Sequence, residues 1–177
     1  MGEILAHPRR SHPYRWRVSD RLTLRDLTAE EYATYRVVVR DGYRDDLVSQ
    51  GGHDPEEATE KALRDTKDVL LDDGPAERQV IRVAELDGRV AGYLWLGPAT
   101  IPGMAWVQSV DVEPDLRGQG FGRELMQAAE RIAADLGYQR IGLNVMGGNI
   151  VARRLYDSLG YTLLHQQMAK DLPPAQA

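Results

Sequence analysis

Residues 117–123, Arg117-Gly118-Gln119-Gly120-Phe121-Gly122-Arg123, constrain the fold of this chain more than any other stretch. An extended apolar run, Trp106 to Val112, enters them through Glu113-Pro114-Asp115. A helical apolar period leaves them, carried by Phe121, Leu125, Ala128, Ala129, Ile132 and Leu136. A strand, a glycine-rich turn and a helix start in that order leave backbone N–H groups open at a helix N-terminus, which favours an anion. Glycine has no Cβ, so a phosphate can come close to the main chain. A phosphorylated cofactor is therefore the expected ligand.

Several loops of this kind exist. A Walker A loop ends in Gly-Lys-Ser/Thr, whereas Gly122 is followed by Arg123 and Glu124. A dinucleotide fingerprint needs G-x-G-x-x-G on an opening βαβ unit; the spacing here is G-x-G-x-G, late in the chain. An ordinary glycine turn remains the plain alternative. A third pattern, R/Q-x-x-G-x-G/A, is met by Arg117, Gly120 and Gly122. A second segment, Asn149-x-x-Ala152-x-x-x-Tyr156-x-x-x-Gly160-Tyr161, follows it. In order and spacing, the two segments resemble the GNAT superfamily of acetyl-CoA-dependent N-acetyltransferases. The resemblance covers roughly Arg78 to Leu172, and the first half of the chain matches only in its order of elements.

The remaining elements are read from pattern. Arg21–Arg25 alternates like a first strand. Thr28 with Glu31 is a capping box opening a first helix, Ala29 to about Asp41. Asp54-Pro55 opens a second, with Ala58, Ala62, Val69 and Leu70 as its apolar stripe, ended at Asp72-Asp73-Gly74-Pro75. Val80–Ala84 and Val90–Leu96 flank Asp87-Gly88, a type I′ hairpin signal. A fourth strand covers Ala105–Val112, and a third helix Phe121–Leu136 stops at Gly137. A fifth strand at Arg140–Val145, a fourth helix from Asn149 to Gly160 and a last strand from Tyr161 to about Lys170 complete the series. The order β-α-α-β-β-β-α-β-α-β implies an α/β (α+β) protein. By resemblance it is a GNAT fold: a mixed, largely antiparallel sheet of about six to seven strands, helices on both faces, and splayed fourth and fifth strands. The expected organisation is a flexible arm over residues 1–19, one acetyltransferase domain over 20–172 and a frayed tail over 173–177.

Length and composition set outer bounds. A chain of 177 residues suits one domain with its own core. No apolar run approaches membrane-helix length, and the N-terminus lacks an export signal, so a cytoplasmic location and no membrane partner are expected. Cysteine is absent, which excludes disulfides, a Cys-ligated metal and a Cys nucleophile. The four histidines show no metal spacing, and no metal is expected. The net charge of −5 argues against a nucleic-acid partner, although Arg9, Arg10, Arg15 and Arg17 make the arm locally basic.

The resemblance assigns roles. The N–H groups of Gly118, Gln119, Gly120, Phe121, Gly122 and Arg123 would bind the coenzyme A pyrophosphate, with Arg117 and Arg123 adding positive charge. Val110, Asp111 and Val112 would pair with the pantetheine amides, and an N–H near Val110 or Asp111 would polarise the thioester. Asn149 would contact the coenzyme arm while capping its helix. Tyr156 would protonate the leaving thiolate; a phenol has a reference pKa near ~10, close to a thiol. The base is open. Members of the family carry a Glu on the fourth or fifth strand, where this chain has Met104, Gln108 and Asn144, none of which takes a proton. Asp111 is the catalytic candidate, with a water chain or no base as alternatives. Glu113 precedes Pro114 at a strand end and is expected to be solvated.

Acceptor contacts are expected from Tyr32, Tyr35, Arg36, Tyr43, Arg44, Asp45, Asp46 and His53, and from backbone at Met146-Gly147-Gly148. The implied reaction moves acetyl from acetyl-CoA, as cosubstrate, to a primary amine of a small molecule, peptide or protein. Without Cys, direct attack in a ternary complex is expected. A homodimer is left open. The rivals are a non-catalytic acyl-CoA-binding module and a structural α/β domain with a glycine turn.

Overall fold

The computed structural model describes residues 15–49 and 51–170. In chain order these form β1 (Arg15–Arg17), β2 (Leu22–Arg25), α1 (Ala29–Ser49), α2 (Pro55–Thr66), β3 (Leu70–Leu71) and β4 (Gly74–Pro75). Then come β5 (Val80–Leu86), β6 (Arg89–Pro98), β7 (Met104–Val112), a 3-10 turn at Pro114–Leu116, α3 (Phe121–Asp135), β8 (Arg140–Leu143) and α4 (Ile150–Ser158). Six strands make one sheet in the order β1-β2-β5-β6-β7-β8, and β3 with β4 makes a separate ribbon. Every pair in the large sheet is antiparallel except β7 with β8, which α3 connects in parallel.

Local chemistry explains the element ends. Asp87 and Gly88 sit at φ 52° and 81°, the conformation a type I′ turn demands. At the start of α1 the Glu31 N–H donates to Thr28 Oγ1 at 3.1 Å, and the Thr28 N–H donates to Glu31 Oε2 at 2.8 Å. This capping box also holds Arg25, whose guanidinium bonds both Glu31 oxygens at 2.7 Å. Those bonds to Arg25 pull the Glu31 carboxyl down to about 2.

Two cores form, one on each face. Against α3 lie Leu22, Leu24, Ala84, Leu94, Leu96 and Val107, meeting Phe121, Leu125, Met126 and Ala129. On the opposite face Tyr32 and Tyr35 of α1 meet Ile81 and Trp95, with Leu70 beside them. The sheet thus buries both sides, as its alternating apolar residues require.

Four boundaries differ from the sequence reading. Arg15–Arg17, within the expected arm, pair with Thr23–Arg25 as an edge strand; residues 1–14 and the expected tail 173–177 lie outside the described residues. Helix α1 runs through Gly42 to Ser49, because Leu47 is buried and Tyr43 bonds Asp65 of α2 at 3.0 Å. Helix α2 ends at Thr66, so Val69 and Leu70 leave the helix and Leu70 opens the ribbon. Residues 161–170 form no strand: β8 ends at Leu143, and Leu163, Leu164 and Met168 remain exposed.

Candidate active site

The glycine-rich turn has the geometry its residues suggested. Gly118 and Gly120 adopt φ 74° and 92°, left-handed values that side chains with a Cβ resist. Gly120 is the N-cap of α3 and has no side chain to cap it. The Arg123 and Glu124 N–H groups donate to Gly120 O at 3.0 and 3.2 Å. The N–H groups of Gly118, Gln119, Gly120, Phe121 and Gly122 make no backbone hydrogen bond among the described residues. They lie at the positive end of a fifteen-residue helix. Side chains hold the turn in place: Arg117 Nε donates to Val112 O at 2.9 Å, and Gln119 Nε2 donates to Asp115 O at 3.0 Å. Arg123 Nη2 donates to Ser158 Oγ at 2.6 Å, tying the loop to α4.

Beside the loop the sheet opens. β8 accompanies β7 only from Met104 to Val107. From Ser109 to Val112, β7 keeps β6 as its sole strand partner among the described residues, so its other edge is unpaired there. The register also slips: Trp95 pairs with Ser109 while Leu96 pairs with Val107, which leaves Gln108 as a bulge. The bulge resets the alternation. Val107, Val110 and Val112 all pack on the α3 core, while Ser109 and Asp111 stand opposite Trp95 and Tyr93, on the α1 side.

Asp111 is exposed, and its carboxylate accepts a hydrogen bond from Ser109 Oγ. Two tyrosines feel its charge. Burial, and after it Asp111, pushes the Tyr156 phenol above its ordinary value. Tyr156 lies half-buried on α4, its ring 5.8 Å from that of Tyr161, and its hydroxyl makes no hydrogen bond among the described residues. Tyr35 of α1 is buried, with its ring 4.9 Å from Tyr93. Burial and then Asp111 raise its hydroxyl strongly, while nearby Ser109 acts in the opposite direction. Among the described residues Tyr35 Oη has no partner of sound geometry. Asn149 caps α4, accepting from the Ala152 N–H at 3.1 Å.

The acetyltransferase (GNAT) family model matches residues 43–161. The chain belongs to that family. Over 153 residues it is 26% identical to the uncharacterized N-acetyltransferase YdgE of Bacillus subtilis (strain 168), spanning 85% of this chain and 98% of that one. The fold matches the crystal structure of Bacillus subtilis YycN with a TM-score of 0.77 at 24% identity, covering 86% of this chain and 99% of that one. It also matches AAC(6')-Iy, solved with the bisubstrate analogue CoA-S-monomethyl-acetylneamine, with a TM-score of 0.56 at 17% identity, covering 86% and 98%. The splayed sheet edge and glycine turn are thus those of a GNAT acyltransferase.

In this GNAT chain Asp111 stands within electrostatic reach of Tyr156, and Arg123 of the loop bonds Ser158 of α4, but other candidates stand apart. Asn144 lies exposed beyond β8, Gln108 occupies the bulge, and Met104 is buried in the doubly paired half of β7. Of the acceptor candidates, Tyr35 lies within electrostatic reach of Asp111. Tyr32 Oη donates to Leu71 O at 3.0 Å, and Arg44 turns to Asp41 and Asp45. Ser109 escaped sequence reasoning. Its signal was its place two residues before Asp111 on one strand, hence on the same face.

Proposed function

We propose that this GNAT protein transfers an acetyl group from acetyl-CoA to a primary amine of a small molecule or peptide, by direct attack in a ternary complex. The residues fit the cosubstrate. Five open N–H groups at the start of α3 suit a pyrophosphate, and the unpaired edge of β7 at Val110–Val112 suits the pantetheine amides. Arg117, Arg123 and Asn149 complete the cradle around the coenzyme arm. When bound, acetyl-CoA supplies an activated acyl carbon and a thiolate leaving group.

Asp111, held by Ser109, takes the proton of the incoming ammonium. A backbone N–H near Val110 polarises the acyl oxygen. Tyr156 Oη gives its proton to the departing sulfur, and its raised pKa keeps that proton in place at neutral pH. The observation that carries this reading is that one carboxylate, Asp111, sits at the open half of β7 and acts electrostatically on Tyr156. The bisubstrate complex of AAC(6')-Iy, which shares the fold, supports an amine acceptor.

The test is an amine-panel screen with a thiol-release readout on the wild type and Tyr156→Phe. The expected result is turnover of at least one amine, falling about tenfold or more in kcat for the variant. Equal kcat for both would refute the acid role. Coenzyme A binding with no turnover of any amine would favour a non-catalytic acyl-CoA-binding module, in keeping with Asn144 and Gln108 at the strand positions where, by the resemblance, some members of the family carry Glu.

A further inference from the structure

A cleft of about 670 Å³ lies between the middle of α1, the last turn of α2 and the β3–β4 ribbon. None of the glycine-turn residues, Ser109, Asp111 or Tyr156 lines it. Arg36, Arg40, Arg64 and Lys67 converge there, against two carboxylates, Asp72 and Asp73. The lining therefore has two more cations than carboxylates on a protein whose net charge is −5.

Arg64 and Lys67 lie at the α2 C-terminus, where cations suit the helix dipole. That explanation does not extend to Arg36 and Arg40, which lie mid-way along α1. Both arginines are held with donors to spare. Arg40 Nε donates to the neutral Thr66 Oγ1 at 2.9 Å. Arg36 engages Asp72 through Nη1 alone among the described residues, and its planar fork has further donors suited to an oxyanion. The opposite wall is apolar and open: Leu63 is 47% exposed and Leu71 40%, beside buried Leu70.

We propose that this cleft binds a phosphate monoester, with its dianionic head between Arg36, Arg40, Arg64 and Lys67 and its apolar body on Leu63 and Leu71. A phosphate monoester carries close to two negative charges at neutral pH, which matches the local excess. Two arginine forks suit its oxygens, and the leucines give the ester group a place out of water. The site is separate from acetyl transfer and stands without that reading.

The test is calorimetric titration of the full chain with phenyl phosphate. Saturable binding is expected, weaker for inorganic phosphate, absent for phenol, and unaltered by saturating 3′-dephospho-coenzyme A, which keeps the pyrophosphate and pantetheine but has no phosphate monoester. Arg64 and Lys67 are exposed, so the double variant Arg64→Ser/Lys67→Ser should keep its fold, checked by circular dichroism. Its affinity should fall about tenfold or more. No heat at millimolar phenyl phosphate, equal affinity in the double variant, or displacement by 3′-dephospho-coenzyme A would overturn the proposal. Equal affinity for succinate would overturn the choice of phosphate.

Discussion

From Met104 to Val107, β7 has β6 on one side and β8 on the other; from Ser109 to Val112 only β6 remains. Met104, Ala105 and Val107 are 2%, 1% and 5% exposed, so the first half is core. The second half presents Asp111 to solvent and, among the described residues, a backbone edge without a second strand. The two halves share one strand and differ in whether a neighbour continues. A four-residue β8 and a one-residue bulge turn sheet interior into a site. Structure and chemistry are separable along this strand, and substitutions in each half should show it.

The largest effect is expected in the paired half. Met104→Ala removes a buried side chain and should cost about 3 kcal/mol in denaturant unfolding. Its effect on turnover of the folded fraction should be small. In the open half the pattern should reverse: Asp111→Asn should lower kcat/KM about a hundredfold while leaving unfolding within about 0.5 kcal/mol. An Asp111→Asn protein as active as wild type would leave the reaction without this base.

A smaller effect sharpens the join between the halves and their shared partner. A Cβ on Gly92 would lie 2.0 Å from Asp111 O, so this position admits no side chain without moving β7. Gly92→Ala should cost about 2 kcal/mol and, unlike Met104→Ala, should also lower turnover through displacement of Asp111. Loss of stability with unchanged kcat would show that the open half tolerates movement.

The smallest effect lies away from β7 and serves as a control. The folded Glu31 carboxyl titrates near 2, below its ordinary 4.5, through its bonds to Arg25. A depressed carboxyl stabilises the fold fully above the unfolded value and loses that contribution as pH falls through the folded one. Glu31→Gln should therefore cost about 1 kcal/mol at neutral pH, and the gap to wild type should narrow between pH 4.5 and 2. Turnover of the folded enzyme should be unaltered.

Much was legible beforehand. The capping box at Thr28 and Glu31, the Asp87-Gly88 turn and the glycine loop each depend on a few neighbouring residues, so local spacing sufficed. The extent of α1 beyond Gly42 was not legible, because Leu47 and Tyr43 are held by α2, a partner the sequence does not name. The same holds for Tyr161 to Lys170: its composition suits a strand, yet β8 stops before offering it an edge.

By itself the sequence determined the α/β class and the strand–loop–helix with glycines at its turn. Those features follow from backbone preference and short-range spacing. Only the tertiary structure decided which way Ser109 and Asp111 face. Simple alternation along β7 sets them on the side of Val107, and the bulge at Gln108 turns them toward Tyr35 instead. A bulge is a mismatch between two strands, so its place is decided by how β6 and β7 pack together and not by either segment alone.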